Sequence, residues 1–443
     1  MTYLEQYDAV PEEQAAQKIG LVSRWINTDW RPFFKELRES RPIFRTPGFT
    51  LVTHFPDVVE VLSREQVFSV RLYQPKMDPV VDGPFMLARD NTPVNWREKS
   101  IMQTMLQLED LPSVRAMSGD FTEDALDRFA EQGRIEVVSQ IGRYVPVRVC
   151  GAYFGFPGPN LETMFRWSKA TQSDMFKNLQ NDPTVHDAAV QAGGEMRTYL
   201  GELLEEKRRD NAAKDPTKAS GMPPCEDTFQ RLIRTHFPSE IGFDDHRLLA
   251  NMAGLLIGSV ETASQAIVQA LEQILSRRDV HAEASAAARE VDPSHFDKYV
   301  WEALRFNPIN PLIFRFCEED YILAAGTPRE TRIPKGTIIF ACTASAMFDS
   351  VVLPDPETFN INRATFIRLH FGYGHHTCLG RYVGLVQIPE VIRRILLRPN
   401  VRLLPPPEGA IDFQSGPFPE RFNIAYGAPS PLTAATDGEE EEL

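Results

Sequence analysis

Cysteine is scarce in this chain: five in 443 residues, at positions 150, 225, 317, 342 and 378, odd in number and without a Cys-x-x-Cys. That excludes a disulfide scaffold and makes a reducing cytoplasm the expected setting. Long apolar runs are also missing. The longest, residues 253–260, falls far short of the roughly 20 residues a spanning helix needs. Residues 1–30 mix charged and apolar side chains, unlike a signal or anchor, so no membrane anchor is expected. Positive charge is in deficit, with 47 Lys and Arg against 61 Asp and Glu and a net charge of −14, which argues against a nucleic-acid partner. No G-x-G-x-x-G follows a strand-like run, so the chain carries no dinucleotide fingerprint of its own. A second Cys/His pair that would complete a four-ligand zinc site is absent as well.

What remains is an ordinary globular composition, 42% apolar and 24% charged, enough for a sizeable core. Residues 52–58 read as a strand entering a short helix, residues 68–90 as a long loop, and residues 93–108 as helix. Leu200, Leu203 and Leu204 share one face of an amphipathic helix over 194–209, and residues 212–227 form an exposed linker. The most pronounced helix runs from Asp244 to about Arg278, with an acidic N-cap and arginines at its far end. A second spans 293–306 and stops before Pro308 and Pro311; hairpin-like strands follow over 318–340. The fold class is therefore mainly α with a smaller β portion. Residues 437–442 are acidic, and residues 431–443 are expected to be a disordered tail behind a single domain over 1–430.

One cysteine stands apart. Phe371-Gly372-Tyr373-Gly374-His375-His376-Thr377-Cys378-Leu379-Gly380 places Cys378 between glycines, with a basic side chain two residues earlier and Arg381 just after. Gly374 and Gly380 let the main chain turn tightly and approach a flat macrocycle. A thiolate ligating heme iron, tuned by hydrogen bonds to its sulfur, suits this arrangement. Core packing of a lone cysteine requires no flanking glycines, and a zinc site built on His375, His376 and Cys378 lacks a fourth ligand.

The segment resembles the heme-binding loop of the cytochromes P450, Phe-x-x-Gly-x-(Arg/His)-x-Cys-x-Gly, at every specified position. The resemblance implies a P450 fold with a long central helix over buried heme b (iron protoporphyrin IX), Cys378 as its axial ligand, and Phe371, Gly372 and Gly380 shaping the loop. His376 and Arg315 align with propionate ligands, arginine being suited by its planar, permanently charged donors. Pro93-Val94-Asn95-Trp96-Arg97-Glu98-Lys99 resembles the family's Pro-Glu-His-x-x-x-Arg helix start, with Asn95 and Lys99 replacing the usual His and Arg. Glu302-Ala303-Leu304-Arg305 resembles its Glu-x-x-Arg pair, which a second arginine, here Arg363, is expected to join. On the long helix, Gly258-Ser259-Val260-Glu261-Thr262 resembles (Ala/Gly)-Gly-x-(Asp/Glu)-Thr. It implies Thr262 as the proton donor through water, Glu261 as relay acid, Gly258 as the small residue that leaves room for dioxygen, and Ser259 as a further hydroxyl or a narrowing of the site. Met347-Phe348-Asp349 departs from the family's Asn-Arg-Asp.

The implied activity is that of a heme-thiolate monooxygenase acting on a hydrophobic small molecule, a fatty acid or other lipid-like compound being one candidate. Apolar walls are expected around Leu72, Tyr73, Met77, Phe85, Leu312, Ile313 and Phe418, with Arg71 or Lys76 available for a carboxylate. Electrons are expected from an acidic ferredoxin or flavodoxin with its reductase, docking on the basic residues of 363–381 and Lys99 of a monomeric enzyme. Two alternatives stand beside this reading: a heme-thiolate peroxygenase or isomerase needing no reductase, and a non-enzymatic heme sensor.

Overall fold

The computed structural model describes residues 1–213, 226–414 and 416–427. Within it the chain forms two compact units. The first takes Met1–Met77, Pro84–Lys99 and Pro308–Cys378, and the second Asp78–Gly83, Ser100–Asn307 and Leu379–Leu443.

The first unit is built on a five-stranded sheet in the order Ile43–Arg45, Thr50–Val52, Ile338–Ala341, Ile313–Cys317, Phe68–Ser69. All neighbours are antiparallel except the parallel central pair, where Leu51 stands opposite Phe340. Helix α1 (Phe55–Ser63) lays Val58, Val61 and Leu62 against Val52, Phe68, Ile339 and Ala341 in one apolar core. Asp349 secures the start of α1. Its Oδ2 accepts from the Phe55 N–H at 2.9 Å and lies 2.8 Å from His54 Nδ1, while its Oδ1 accepts from Val351. Burial works to raise the Asp349 pKa, but these hydrogen bonds outweigh it and hold the carboxyl below its usual value. The departure at 347–349 thus preserves a working carboxylate. Helix α2 (Pro93–Met105) starts in this unit. The expected loop over 68–90 instead contains a helix, Gln74–Val81, that incorporates Pro79.

The second unit is helical: α3 (Leu111–Arg128), α4 (Leu161–Gln172), α5 (Pro183–Ala213), α6 (Asp245–Leu275), α7 (Ser294–Phe306) and α8 (Arg381–Leu396) carry most of it. A small antiparallel sheet, Arg134–Glu136, Asn423–Ala425 and Arg402–Leu403, completes it. Helix α6 begins at an Asp244 cap whose Oδ1 accepts from the Arg247 N–H at 2.9 Å. It ends at Leu275, with Ser276 as its C-cap, rather than at Arg278. Arg277 turns back to donate to the Gln273 carbonyl at 2.7 Å, satisfying a terminal acceptor, and Arg278 opens a new helix. Thirty-one residues make a rod of about 46 Å. The amphipathic helix at 194–209 lies inside the longer α5. Most of the expected linker, and the acidic tail, lie outside the described residues.

Candidate active site

The first unit holds the cysteine loop. Cys378 is exposed, whereas Cys150, Cys317 and Cys342 are buried. The Cys378 N–H donates to the Phe371 carbonyl at 2.9 Å, closing the loop, with Gly372 at φ +72° and Gly374 at φ +69°. Gly374 makes the tight turn expected of it, and it has a second reason to be glycine. A Cβ there would stand 2.7 Å from the Leu62 carbonyl, so the loop's seat on the end of α1 demands it. Gly380 has an ordinary φ of −82° and precedes α8; a Cβ there would meet no protein atom.

Around this loop the cations gather. Lys99 donates to the His375 carbonyl; burial lowers its pKa while Cys378 acts in the opposite direction. Asn95 is fully buried and braces the loop. Its Nδ2 donates to the Met86 carbonyl at 2.8 Å and its Oδ1 accepts from His375 Nε2 at 2.5 Å. His376 Nε2 lies 2.9 Å from Asp90 Oδ1, whose carboxylate also accepts from the Val70 N–H. Burial lowers the His376 pKa, Asp90 opposes it, and Arg315 and His375 add to the lowering, so the ring stays neutral.

Arg315 is the decisive side chain. The strand Ile313–Cys317 places it opposite Ile339, buried, with a pKa lowered by burial against the pull of Tyr73 and Asp90. Among the described residues its guanidinium makes one hydrogen bond, to the neighbouring Phe314 carbonyl at 2.9 Å, and no ion pair closer than 4 Å. Five donors with so little compensation are costly in an apolar interior unless an anion joins them. Arg97 repeats the pattern on α2: its Nε is buried without a hydrogen-bond partner, and its contact with Glu98 is 3.5 Å long. An accessible thiol, one cation without an anion, a second only loosely paired and a third beside the thiol fit an anionic porphyrin held by a thiolate. Zinc does not fit, because among the described residues no group of three His, Cys, Asp or Glu is placed to hold a metal ion.

In the second unit, α6 carries the other expected residues. Between Ala250 and Leu271 every residue is buried except Gly254, Gly258, Ser259 and Thr262. Positions 254, 258 and 262 are spaced by four and share one face, so the helix bares a narrow stripe of small residues. A Cβ on Gly258 would touch no protein atom. Thr262 Oγ1 donates to the Gly258 carbonyl at 2.5 Å. Glu261 points elsewhere. Its carboxylate is buried against Arg143, whose Nη2 donates to Oε2 at 3.3 Å; Nε lies 2.8 Å from Oε1, off the hydrogen-bond direction, so that contact is Coulombic. Burial raises the Glu261 pKa, and Arg143 pulls it back. Arg143 also holds Glu420, at 3.0 Å, and Lys169 holds Glu420 at 2.7 Å. The Ser259 hydroxyl lies 3.2 Å from Cys150 Sγ, so it is engaged with the buried cysteine rather than with Thr262.

A family model for cytochrome P450 matches residues 44–413. The chain belongs to the cytochrome P450 family. Heme-thiolate chemistry follows as its class, and this P450 is an oxygenase of that kind. It is 24% identical to a steroid C26-monooxygenase of Mycolicibacterium smegmatis over 91% of this chain and 94% of that one. It is also 24% identical to mycinamicin IV hydroxylase/epoxidase of Micromonospora griseorubida, over 84% and 88%. Among solved structures, the P450 heme domain of Tepidiphilus thermophilus superimposes with a TM-score of 0.72 at 23% identity, covering 89% of this chain and 93% of that one. Among the described residues no helix is long and apolar enough to cross a membrane.

Other expected residues fall as follows. Arg305 donates to Glu302 at 2.7 and 3.0 Å, both side chains buried on α7. Arg363 grips the carbonyls of Pro354, Asp355 and Thr358 within the first unit. Arg71 is committed to Glu318 at 3.2 Å and to the Phe316 ring, whereas Lys76 is buried. Tyr73 stacks on Phe314 at 4.3 Å. Arg143 and Arg97 escaped the sequence reading: Arg143 sits in no motif, and Arg97 falls at an unspecified position of the Pro-Glu-His-x-x-x-Arg pattern.

Proposed function

We propose that this P450 inserts one atom of dioxygen into a hydrophobic small molecule and reduces the other to water. In this reading heme b is the bound group, and residues 1–430 act as one catalytic domain of a cytoplasmic monomer. Two electrons come from a separate acidic ferredoxin or flavodoxin and its reductase. The observation that carries the reading is the buried Arg315 guanidinium, lacking an anion, in the same unit as the exposed Cys378 thiol. Arg315 and Lys99 would hold the propionates, with neutral His376 beside them as a hydrogen-bond donor or acceptor. Heme bound there would supply dioxygen activation, with Cys378 as the thiolate that would hold it and donate electron density. The chain's own work lies in proton handling: the Thr262 hydroxyl, held on the Gly258 carbonyl, positions the last proton donor, while the Glu261 carboxylate stays paired with Arg143.

Bulky apolar substrates suit the reading. Relatives bear names for steroid and mycinamicin oxidation, and a P450 from Bacillus megaterium of like fold was solved with testosterone. Fatty acids remain in the panel as a second class of apolar substrate. Lys99 is turned inward to His375, which leaves the exposed Arg381 to attract an acidic donor. Reduction by ferredoxin should therefore slow as salt is raised; salt-independent reduction would remove that docking model. The central test is optical. The reduced protein with carbon monoxide should show the strongly red-shifted Soret band of a thiolate-bound heme, and a steroid and fatty-acid panel should shift the ferric spin state. A band typical of histidine ligation would overturn the reading. The intact Glu261-Thr262 pair favours reductase-driven turnover over a peroxygenase; peroxide alone matching the surrogate ferredoxin system would reverse that order.

A further inference from the structure

Helix α4 buries Met164, Trp167, Ser168, Thr171 and Gln172, a stripe at helical spacing in which three members are polar. Buried polar side chains need partners. Thr171 finds one in its own helix, on the Trp167 carbonyl. Ser168 and Gln172 do not. The Glu261 N–H donates to Ser168 Oγ at 3.3 Å, and Gln172 Nε2 donates to the Ile257 carbonyl. In an α-helix the N–H of 261 and the carbonyl of 257 are the two ends of one rung of the ladder. Two side chains one turn apart on α4 therefore address both ends of a single α6 rung. The next rung, 258 to 262, is addressed from within, by Thr262 Oγ1 on the Gly258 carbonyl. A third tie from α4 runs through Lys169 to Glu420, Arg143 and the Glu261 carboxylate.

We propose that Ser168 and Gln172 are positioning residues that set the pitch of α6 at residues 257–262 and so fix where the Thr262 hydroxyl stands. Side chains that compete for ladder groups bend or open a helix locally. Here the competition falls on the rung beside the bare Gly258 stripe. Helix α4 thereby gains a mechanical hold on the proton-donating residue without approaching the reacting atoms. This rests on the oxygenase reading given above.

The test uses holoenzyme carrying Gln172→Met, which keeps size and loses the donor, Ser168→Ala, which loses the acceptor, and Ser168→Thr, which keeps it. Two measurements are made: hydrogen exchange of the amides of residues 257–262, and peroxide released per reductant consumed with a surrogate ferredoxin and its reductase. Gln172→Met and Ser168→Ala should speed exchange in this segment and raise the peroxide share several-fold, with Ser168→Thr staying near wild type. A purely structural role would lower thermal stability and leave the peroxide share alone. Unchanged exchange overturns the clamp, and faster exchange with an unchanged peroxide share overturns its role at Thr262. Wild-type protein that consumes no reductant would sink the oxygenase reading instead, and the exchange measurement would still decide the clamp.

Discussion

Replacing Arg143 with methionine should destabilise the protein in a pH-dependent way that identifies Glu261 as the cause. The Glu261 carboxylate is 1% exposed, and Arg143 is its cationic contact at 2.8 Å. Methionine keeps much of the packing volume but strands the carboxylate. Breaking a buried pair from one side costs about 3–5 kcal/mol at neutral pH, because the remaining charge is uncompensated. Glu420 should add little, since it retains Lys169 at 2.7 Å. The sign with pH follows from linkage. Burial already raises the Glu261 pKa and Arg143 opposes it, so removing Arg143 raises it further. An acid with a raised folded pKa binds more protons folded than unfolded, so stability falls as pH rises from the unfolded value near 4.5 through the folded one. The deficit of Arg143→Met should accordingly be full at pH 7–8 and shrink as pH is lowered toward about 5. Chemical denaturation followed by circular dichroism across that range measures it. The double variant Arg143→Met/Glu261→Gln should recover a large part of the loss, giving a coupling energy of about 1–3 kcal/mol. A deficit independent of pH, with no recovery in the double variant, would refute the reasoning and place the cost in packing alone.

Three other outcomes are expected. Glu302→Ala removes the carboxylate that the buried Arg305 guanidinium grips, at a cost of about 3–5 kcal/mol, and should yield protein with little incorporated heme, read from the ratio of Soret to protein absorbance. Thr262→Ala should keep consuming reductant while releasing peroxide in place of product, measured by peroxide assay against oxygen uptake. Gly374→Ala forces a Cβ to 2.7 Å from the Leu62 carbonyl at φ +69°, so the loop must lift from α1; the expected result is a loss of about 1–3 kcal/mol and faster heme release to an acceptor protein.

The legible parts of this molecule are those where one residue type is physically forced. The cysteine loop needs glycines whatever surrounds it, so Gly372, Gly374 and Cys378 could be read directly, although the partner that forces Gly374 proved to be the Leu62 carbonyl. Helix α6 announced itself through its length and its Asp244 cap. Tertiary contacts hid the rest. Gln74–Val81 reads as loop because Pro79 and two neighbouring residues of low helix propensity mask it, and packing overrides them. Asn95 stands where the family places a propionate-binding histidine, yet its amide is occupied by Met86 and His375, which no linear pattern reveals. Glu261 was expected to face the same work as Thr262, but successive residues on a helix point about 100° apart, and its carboxylate follows Arg143 instead. Ser168 and Gln172 left a faint trace: polar residues at the buried positions of an amphipathic helix. Recognising them required knowing which face of α4 was covered.

The uneven fate of the cysteines has a chemical consequence. Burial lifts the Cys150 and Cys317 thiols to about 12 and about 11, and raises Cys342 as well. At neutral pH these three are locked in the protonated form and walled off from reagents, so they cannot compete for a soft metal or be readily oxidised. Among the described cysteines, sulfur nucleophilicity is rationed to one address, Cys378.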